Sequence, residues 1–346
     1  METRVYPYLG EQNIGIEGPK RLLDRIEGNI DEKAEEKLKY DGIVRVFEGD
    51  IRKIVRDKTA EYVSIRDNKK RDIDGWDYMR YKTHVQTIWR KNSLEYDVKN
   101  HLSNDETGAL RCFKRIYYNL PGSKNKTLLH ASAVDIGQNG VLIVGKKRTG
   151  KTTLAFNMVD KLGASLVEGG NSLISFNDKL RVHYLPRSIF ARFFTIAESP
   201  YLYSLFEDIE SSETQQPWDL EAIRDVIKSK SFSIDGGLNF SRRAFRRLSG
   251  KDTLQVSAIK SVTFPSYSNQ KIPKINSISI EEAYTRMLDR EFKIYSEFGK
   301  FQDQDNPEHS QEPILNPEWL EGLKLKTVSF DGNKNITNSL LEDLIS

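Results

Sequence analysis

The sequence predicts an α/β protein in which a phosphate-binding loop joins a buried strand to an amphipathic helix, with a smaller mixed α+β region ahead of it. Three observations carry this. The apolar run "VLIVG", residues 141–145, has the pattern of a strand buried on both faces. Directly after it, Gly145, Gly150, Lys151 and Thr152 match G-x-x-x-x-G-K-[ST] without a gap. "KTTLAFNMVDKLG" then puts Leu154, Met158 and Leu162 on one helical face and closes on a glycine. Strand, glycine loop, helix and a further strand is an α/β order.

Taken along the chain, residues 1–104 form the first region. "DEKAEEKLKY" is charged and helix-prone, whereas "GIVRVFEGDI" and "AEYVSIRD" alternate apolar and polar residues as half-buried strands do. "KTHVQTIWRKNSLEYDV" extends such a sheet, and the polar "DNKKRDIDGWD" reads as an exposed connection. The second region, 105–346, opens with "ETGALRCFKRIYYNL". There Leu110, Phe113, Ile116, Tyr117 and Leu120 recur at helical spacing until "PG" stops them. Strand-like "LLHASAVDI", the turn "GQNG" and the phosphate loop follow. "SLVEGGNSLISFND", "LRVHYLP" and "SAIKSVTFP" add strands. A late amphipathic helix, "ISIEEAYTRMLDREFKIYSEF", is opened by Ser279 with glutamates in its first turn. "GKFQDQDNPEHSQEP" reads as a mobile loop.

Composition excludes several classes. The chain has 346 residues, 30% charged and 38% hydrophobic, and no run approaches eighteen apolar residues, so no membrane span is expected. The start "METRVYPYLGEQ" lacks the apolar core of a secretory signal, so a cytoplasmic location is expected. The single cysteine, Cys112, excludes an internal disulfide framework and suits a core position on a helix. A net charge of +3 gives no general support to nucleic-acid binding.

The loop runs Gly145, Lys146, Lys147, Arg148, Thr149, Gly150, Lys151, Thr152 and Thr153. Its glycines let backbone N–H groups turn inward around phosphates, and the helix N-terminus adds the positive end of its dipole. Lys151 is expected to neutralise the β- and γ-phosphates of ATP, and the Thr152 hydroxyl to ligate Mg²⁺.

Around this loop, "LLHASAVDIGQNGVLIVGKKRTGKTTLAFNMVDKLGASLVEGG", with weaker echoes in "LPRSIFAR" and "SVTFPSY...SISIEEAYTRML", resembles the HPr kinase/phosphorylase-like group of P-loop kinases, related to phosphoenolpyruvate carboxykinase. The resemblance covers roughly residues 127 to 295. It implies a P-loop kinase-like core that moves a phosphoryl group from a nucleotide to a hydroxyl on a peptide, protein or small molecule. It also implies a histidine on the strand before the loop. His130 holds that place, and a purely structural imidazole in the strand is the alternative.

The chain departs from the family where an Asp-Asp pair is usual, because Gly169 and Gly170 stand there. The nearest acid is Glu168. On a regular strand a one-residue shift turns a side chain to the other face, so Glu168 does not simply inherit the role. The glycines either break the strand and let Glu168 act as base or Mg²⁺ partner, or the base is Asp178, Asp235 or His130, or catalysis is lost. Glu168 also stands as a solvated turn residue. Glu168→Gln is expected to slow transfer with little effect on stability.

Arg187 and Arg192 in "LPRSIFAR" are candidate clamps for an anionic substrate, with surface solvation as the alternative. "NFSRRAFRRLSGK" sets Arg242, Arg243, Arg246 and Arg247 on one helical stripe, with Phe245 and Leu248 turned elsewhere. That stripe would meet an acidic peptide, a phosphate or a nucleic-acid backbone, or remain a solvated face. "DGGLNF" before it reads as a mobile loop. The leading expectation is an ATP- and Mg²⁺-dependent kinase. Its first region would serve acceptor recognition or homo-oligomer contacts. A catalytically silent nucleotide-binding protein is the alternative, and an NTPase tied to nucleic acid a further one.

Overall fold

The computed structural model describes residues 2–8, 12–28, 30, 42–48, 77–81, 84–92, 95–100, 126–185, 188–210, 220–229, 236–268, 272–289, 315–331 and 336–346. The segments expected as a helix at 31–40, a strand at 60–67, a helix carrying Cys112 at 106–120 and a loop at 299–313 lie outside these residues. So do Arg187 and Asp235. By compactness the chain divides into two units, Met1–Lys124 and Asn125–Ser346.

In the first unit β1 (Glu2–Tyr8) and β2 (Gln12–Gly18) pair antiparallel, and helix α1 (Lys20–Glu27) follows. Alternation on the strands puts Tyr6, Ile14 and Ile16 on one face and Val5 on the other, and these residues and Leu22, Leu23 and Ile26 of α1 are each at most 2% exposed. Arg4 ties β1 to α1 by donating to Asp24 at 2.6 Å and Glu27 at 2.5 Å. Strands β3 (Gly42–Glu48), β4 (Asp77–Tyr81), β5 (His84–Asn92) and β6 (Glu95–Asn100) complete a sheet of order β1-β2-β3-β6-β5-β4. β3 runs parallel to both β2 and β6.

The second unit is α/β, built on a mixed sheet. Strands β7 (Lys126–Leu129), β8 (Ala131–Ile136) and β9 (Asn139–Val144) lead into helix α2 (Lys151–Leu162). Gly163 ends that helix in the left-handed region, φ 67°, as its place after the last apolar turn predicts. Next come β10 (Ser165–Glu168), β11 (Ser172–Phe176), β12 (Leu180–His183) and β13 (Ile189–Arg192). Helices α3 (Phe193–Glu198), α4 (Pro200–Glu207) and α5 (Leu220–Lys228) follow, then β14 (Gly237–Phe240) and α6 (Arg242–Ser249). The long β15 (Val256–Tyr267), β16 (Lys274–Ser277), α7 (Ile280–Leu288), a 3₁₀ turn at Pro317–Leu320, β17 (Lys324–Phe330) and α8 (Asn338–Ile345) complete the unit.

The described sheet runs β10-β8-β9-β15-β12-β11-β7, with β17 also beside β15 and β16 beside β17. β9 and β17 are both parallel to β15, so their carboxyl ends share one edge. Leu154, Met158 and Val159 of α2 pack with Val141, Ile143, Val328 and Phe330 of the sheet and with Leu341 and Leu344 of α8, all buried. The opening of α7 is as its sequence predicts: the Ser279 hydroxyl accepts from Glu282 N–H, and Glu281 and Glu282 occupy the first turn. No helix of the described residues is long and apolar enough to cross a membrane.

Three local expectations change. "LLHASAVDI" is two strands, interrupted by a bend at His130. "DGGLNF" does not end in a mobile loop, because Gly237–Phe240 is β14, paired antiparallel with β13. The arginines of α6 do not form one stripe. Arg242 is 1% exposed and donates to the carbonyls of Val167 (2.9 Å), Leu166 (3.4 Å) and Leu254 (3.3 Å), its guanidinium lying 4.8 Å from the Tyr184 ring centroid. Arg243 and Arg247 stay exposed and Arg246 is half-buried, so the helix has an inward cation and an outward set.

Candidate functional site

The loop from Gly145 to Thr153 leaves β9 at the carboxyl edge of the sheet and enters α2. Gly145 N–H donates to His130 O at 3.5 Å, which sets the bend between β7 and β8 directly opposite the start of the loop. Thr149 closes the turn: its N–H donates to Lys146 O at 3.4 Å and its hydroxyl donates to the same oxygen at 3.0 Å. Arg148 has φ 71° and Gly150 φ 97°, so the chain curls through the left-handed region twice. At Gly150 a side chain is excluded on two counts, since an added Cβ would also lie 2.6 Å from Phe330 Cζ. Lys146, Lys147 and Arg148 are exposed, Thr149 and Thr152 half-buried, and Gly145, Lys151 and Thr153 buried.

Lys151 is the centre of the arrangement. Its side chain folds back into the loop, and Nζ donates to Gly145 O at 2.7 Å and Lys146 O at 2.6 Å. The residue is 5% exposed, and among the described residues no carboxylate pairs with it. Burial, and then the positive charge of Arg192, lower its pKa from 10.5 to about 7, although the two carbonyls favour the ammonium. A buried amine facing two carbonyls in the field of a second cation suits an anion, which would restore its proton. The turned loop and the first turn of α2 add backbone N–H groups to the same place. The residues present therefore fit a phosphate chain.

Arg192 reaches this neighbourhood from the end of β13, where it is half-buried opposite Gly237. The structure thus brings together Lys151, Arg192, Thr152 and the bend at His130. Arg187 lies outside the described residues. Glu168 is not the solvated turn residue of one of its two sequence readings. It is 2% exposed, and both carboxylate oxygens accept backbone bonds: Oε1 from the half-buried Gly169 N–H at 2.8 Å and Oε2 from the buried Leu185 N–H at 3.0 Å. β10 does end at Glu168, and Gly169–Gly170 form a bend. A register shift between Leu166 and Glu168 also interrupts the regular alternation on which the one-residue argument depends. Ser132 Oγ pins the bend by donating to Gly169 O at 3.0 Å. The carboxylate consequently ties the end of β10 to the segment after β12 that leads on to Arg192.

Asp178 is not brought to the loop. It sits in the hairpin turn between β11 and β12, 3.3 Å from Arg181. Arg181 pairs with Ala258, and the next residue of β15, Ile259, pairs with Gly140, so this turn is level with the start of β9 and not its end. Residues the sequence did not single out do stand at the loop. Asp289, at the end of α7, has Oδ2 4.0 Å from Lys146 Nζ. Tyr267 and Phe330, at the ends of β15 and β17, flank Gly150. An aromatic residue closing a strand is visible in "SVTFPSY", but its nearness to the loop depends on strand order.

No family model matches this chain, and no curated protein does. Among solved structures it is similar to the Hpr(Ser) kinase/phosphatase from Coxiella burnetii. Identity is 14%, the TM-score is 0.27, and the match covers 62% of this chain and 90% of that one. This is a distant likeness of fold.

Proposed function

We propose that the second unit binds ATP with Mg²⁺ at Gly145–Thr153 and transfers a phosphoryl group to a hydroxyl of a peptide, protein or small molecule. The observation that carries this reading is Lys151, a buried amine whose Nζ is held inside the loop by the carbonyls of Gly145 and Lys146, with the positive charge of Arg192 acting on it. Phosphoryl transfer depends mainly on positioning and on neutralising the charge of the moving group. Two adjacent cations at the mouth of an N–H-lined loop provide both. Lys151 would turn from the loop carbonyls to the terminal phosphates, and Arg192 would hold charge on the transferred group. Among the described residues no group of three or more His, Cys, Asp or Glu could hold a metal ion. A Mg²⁺ here would take oxygens from Thr152, the phosphates and water, and would draw charge from the phosphates.

A second reading, nucleotide binding without transfer, is favoured by one observation: Glu168, the acid nearest to where the family has its Asp-Asp pair, already has both oxygens engaged by backbone N–H groups. Incubation of the protein with γ-labelled ATP and cell extract separates the two. Label passing to an acceptor supports transfer. Tight ATP binding with neither transfer nor hydrolysis supports the silent reading. Lys151→Ala is expected to reduce transfer at least about a hundredfold while the protein stays folded. Unchanged binding and turnover in that variant would reject the loop as the nucleotide site.

A further inference from the structure

Tyr267 is the last residue of β15 and pairs with Phe330 at the end of β17, while the same strand runs parallel to β9 through Thr263 and Ile143. Three parallel strand ends therefore meet where the loop begins, the edge at which α/β sheets take their ligands. The two aromatic residues there differ sharply. Phe330 is fully buried, whereas Tyr267 is 45% exposed and, with Ser266, forms the open end of β15 beyond the buried run 261–265. The rings stand at 71° to one another with centroids 5.4 Å apart, so Phe330 braces Tyr267 from one side and leaves ring area open.

Tyr267 is also fixed against the loop. Its Cζ lies 3.4 Å from where a Cβ on Gly150 would stand, and its hydroxyl is 3.5 Å from Thr153 Oγ1. Lys151 Nζ, in contrast, points back to Gly145 and Lys146. The two groups mark opposite ends of the loop. A triphosphate lying along the loop with its terminal phosphates at Lys151 would bring its nucleoside end toward Tyr267.

We propose that the open face of the Tyr267 ring is the stacking platform for the base of the bound nucleotide. The inference rests on the reading of Gly145–Thr153 as the nucleotide site and adds where the base lies. Stacking uses the π-face that every base has, so the platform accepts adenine and guanine alike. Phe330 and Thr153 act as positioning residues that keep the ring from rotating away.

The test measures binding of ATP and of inorganic tripolyphosphate, both with Mg²⁺, to wild type, Tyr267→Ala and Tyr267→Phe, with thermal unfolding as the check on folding. Tyr267→Ala is expected to weaken ATP about tenfold, as loss of one stacked base commonly does, and to leave tripolyphosphate unchanged. Tyr267→Phe keeps the ring and is expected to bind ATP as wild type does. An ethenoadenosine triphosphate probe should be quenched on binding to wild type and to Tyr267→Phe. Tyr267→Ala binding ATP as wild type does, or losing ATP and tripolyphosphate equally, would overturn the platform while leaving the phosphate site standing. Wild type binding neither ligand would overturn both.

Discussion

Lys151 shows how one buried charge links binding to pH. In the unfolded chain it holds its proton up to about 10.5, and in the folded protein up to about 7. Below about 7 both states carry the proton and burial of the charge counts fully against folding. Between those values the unfolded state binds more protons, so stability rises with pH across that window. A phosphate chain at the loop restores the ammonium. ATP binding is therefore expected to take up close to one proton at pH 8 and to weaken as pH rises further. Calorimetry in two buffers of different ionisation enthalpy measures this uptake, and Lys151→Met should abolish it. Glu168 carries a different constraint, because its carboxylate accepts from the buried Leu185 N–H and from the half-buried Gly169 N–H. An amide can accept on only one side, so Glu168→Gln leaves one donor unmatched and should cost about 1–3 kcal/mol by urea unfolding. These two bonds argue against the small stability effect expected from sequence. Equal unfolding midpoints for wild type and variant would show the carboxylate to be dispensable to the fold.

At the scale of elements, α6 separates charge by depth. Ser241 caps it, accepting from Ala244 N–H, and the helix turns Arg242 inward beneath β10 while Arg243 faces solvent. The buried guanidinium satisfies three carbonyls from two segments, around Leu166 and at Leu254. Arg242→Met should lower stability by about 2–3 kcal/mol, since hydrogen bonds from a charged group are lost in a buried place. Arg243→Ala should change it by less than about 0.5 kcal/mol. Denaturant unfolding of the two variants gives the contrast directly, and similar losses in both would contradict the inward and outward assignment. The sequence placed these residues on one helix correctly. It could not tell which of four neighbouring arginines the sheet would bury.

On the scale of the whole molecule, the described sheet of the second unit explains why residues far apart in sequence share one edge. β9, β15 and β17 are parallel, so the loop after Val144, the ring of Tyr267 and the ring of Phe330 arrive together. Arg192 joins from β13 and Glu168 buttresses the segment that leads to it. The first unit has its own apolar layer between α1 and the β1–β2 pair.

The α/β order around the loop, both ends of α2, the start of α7 and the strand character of 141–144, 180–183 and 257–265 follow from the sequence alone, because apolar period, caps and turn residues are local properties of the chain. The loop motif is equally local, for its glycines and lysine are contiguous and act through the backbone next to them. What only the tertiary structure decided is which distant groups face that loop. Arg192 and Tyr267 reach it through strand order. Glu168 was removed from the solvated surface by two backbone donors, and Arg242 by three carbonyls. Such placements depend on non-local pairing, where a single register shift or crossover reassigns a side chain, and no periodicity within one segment records that choice.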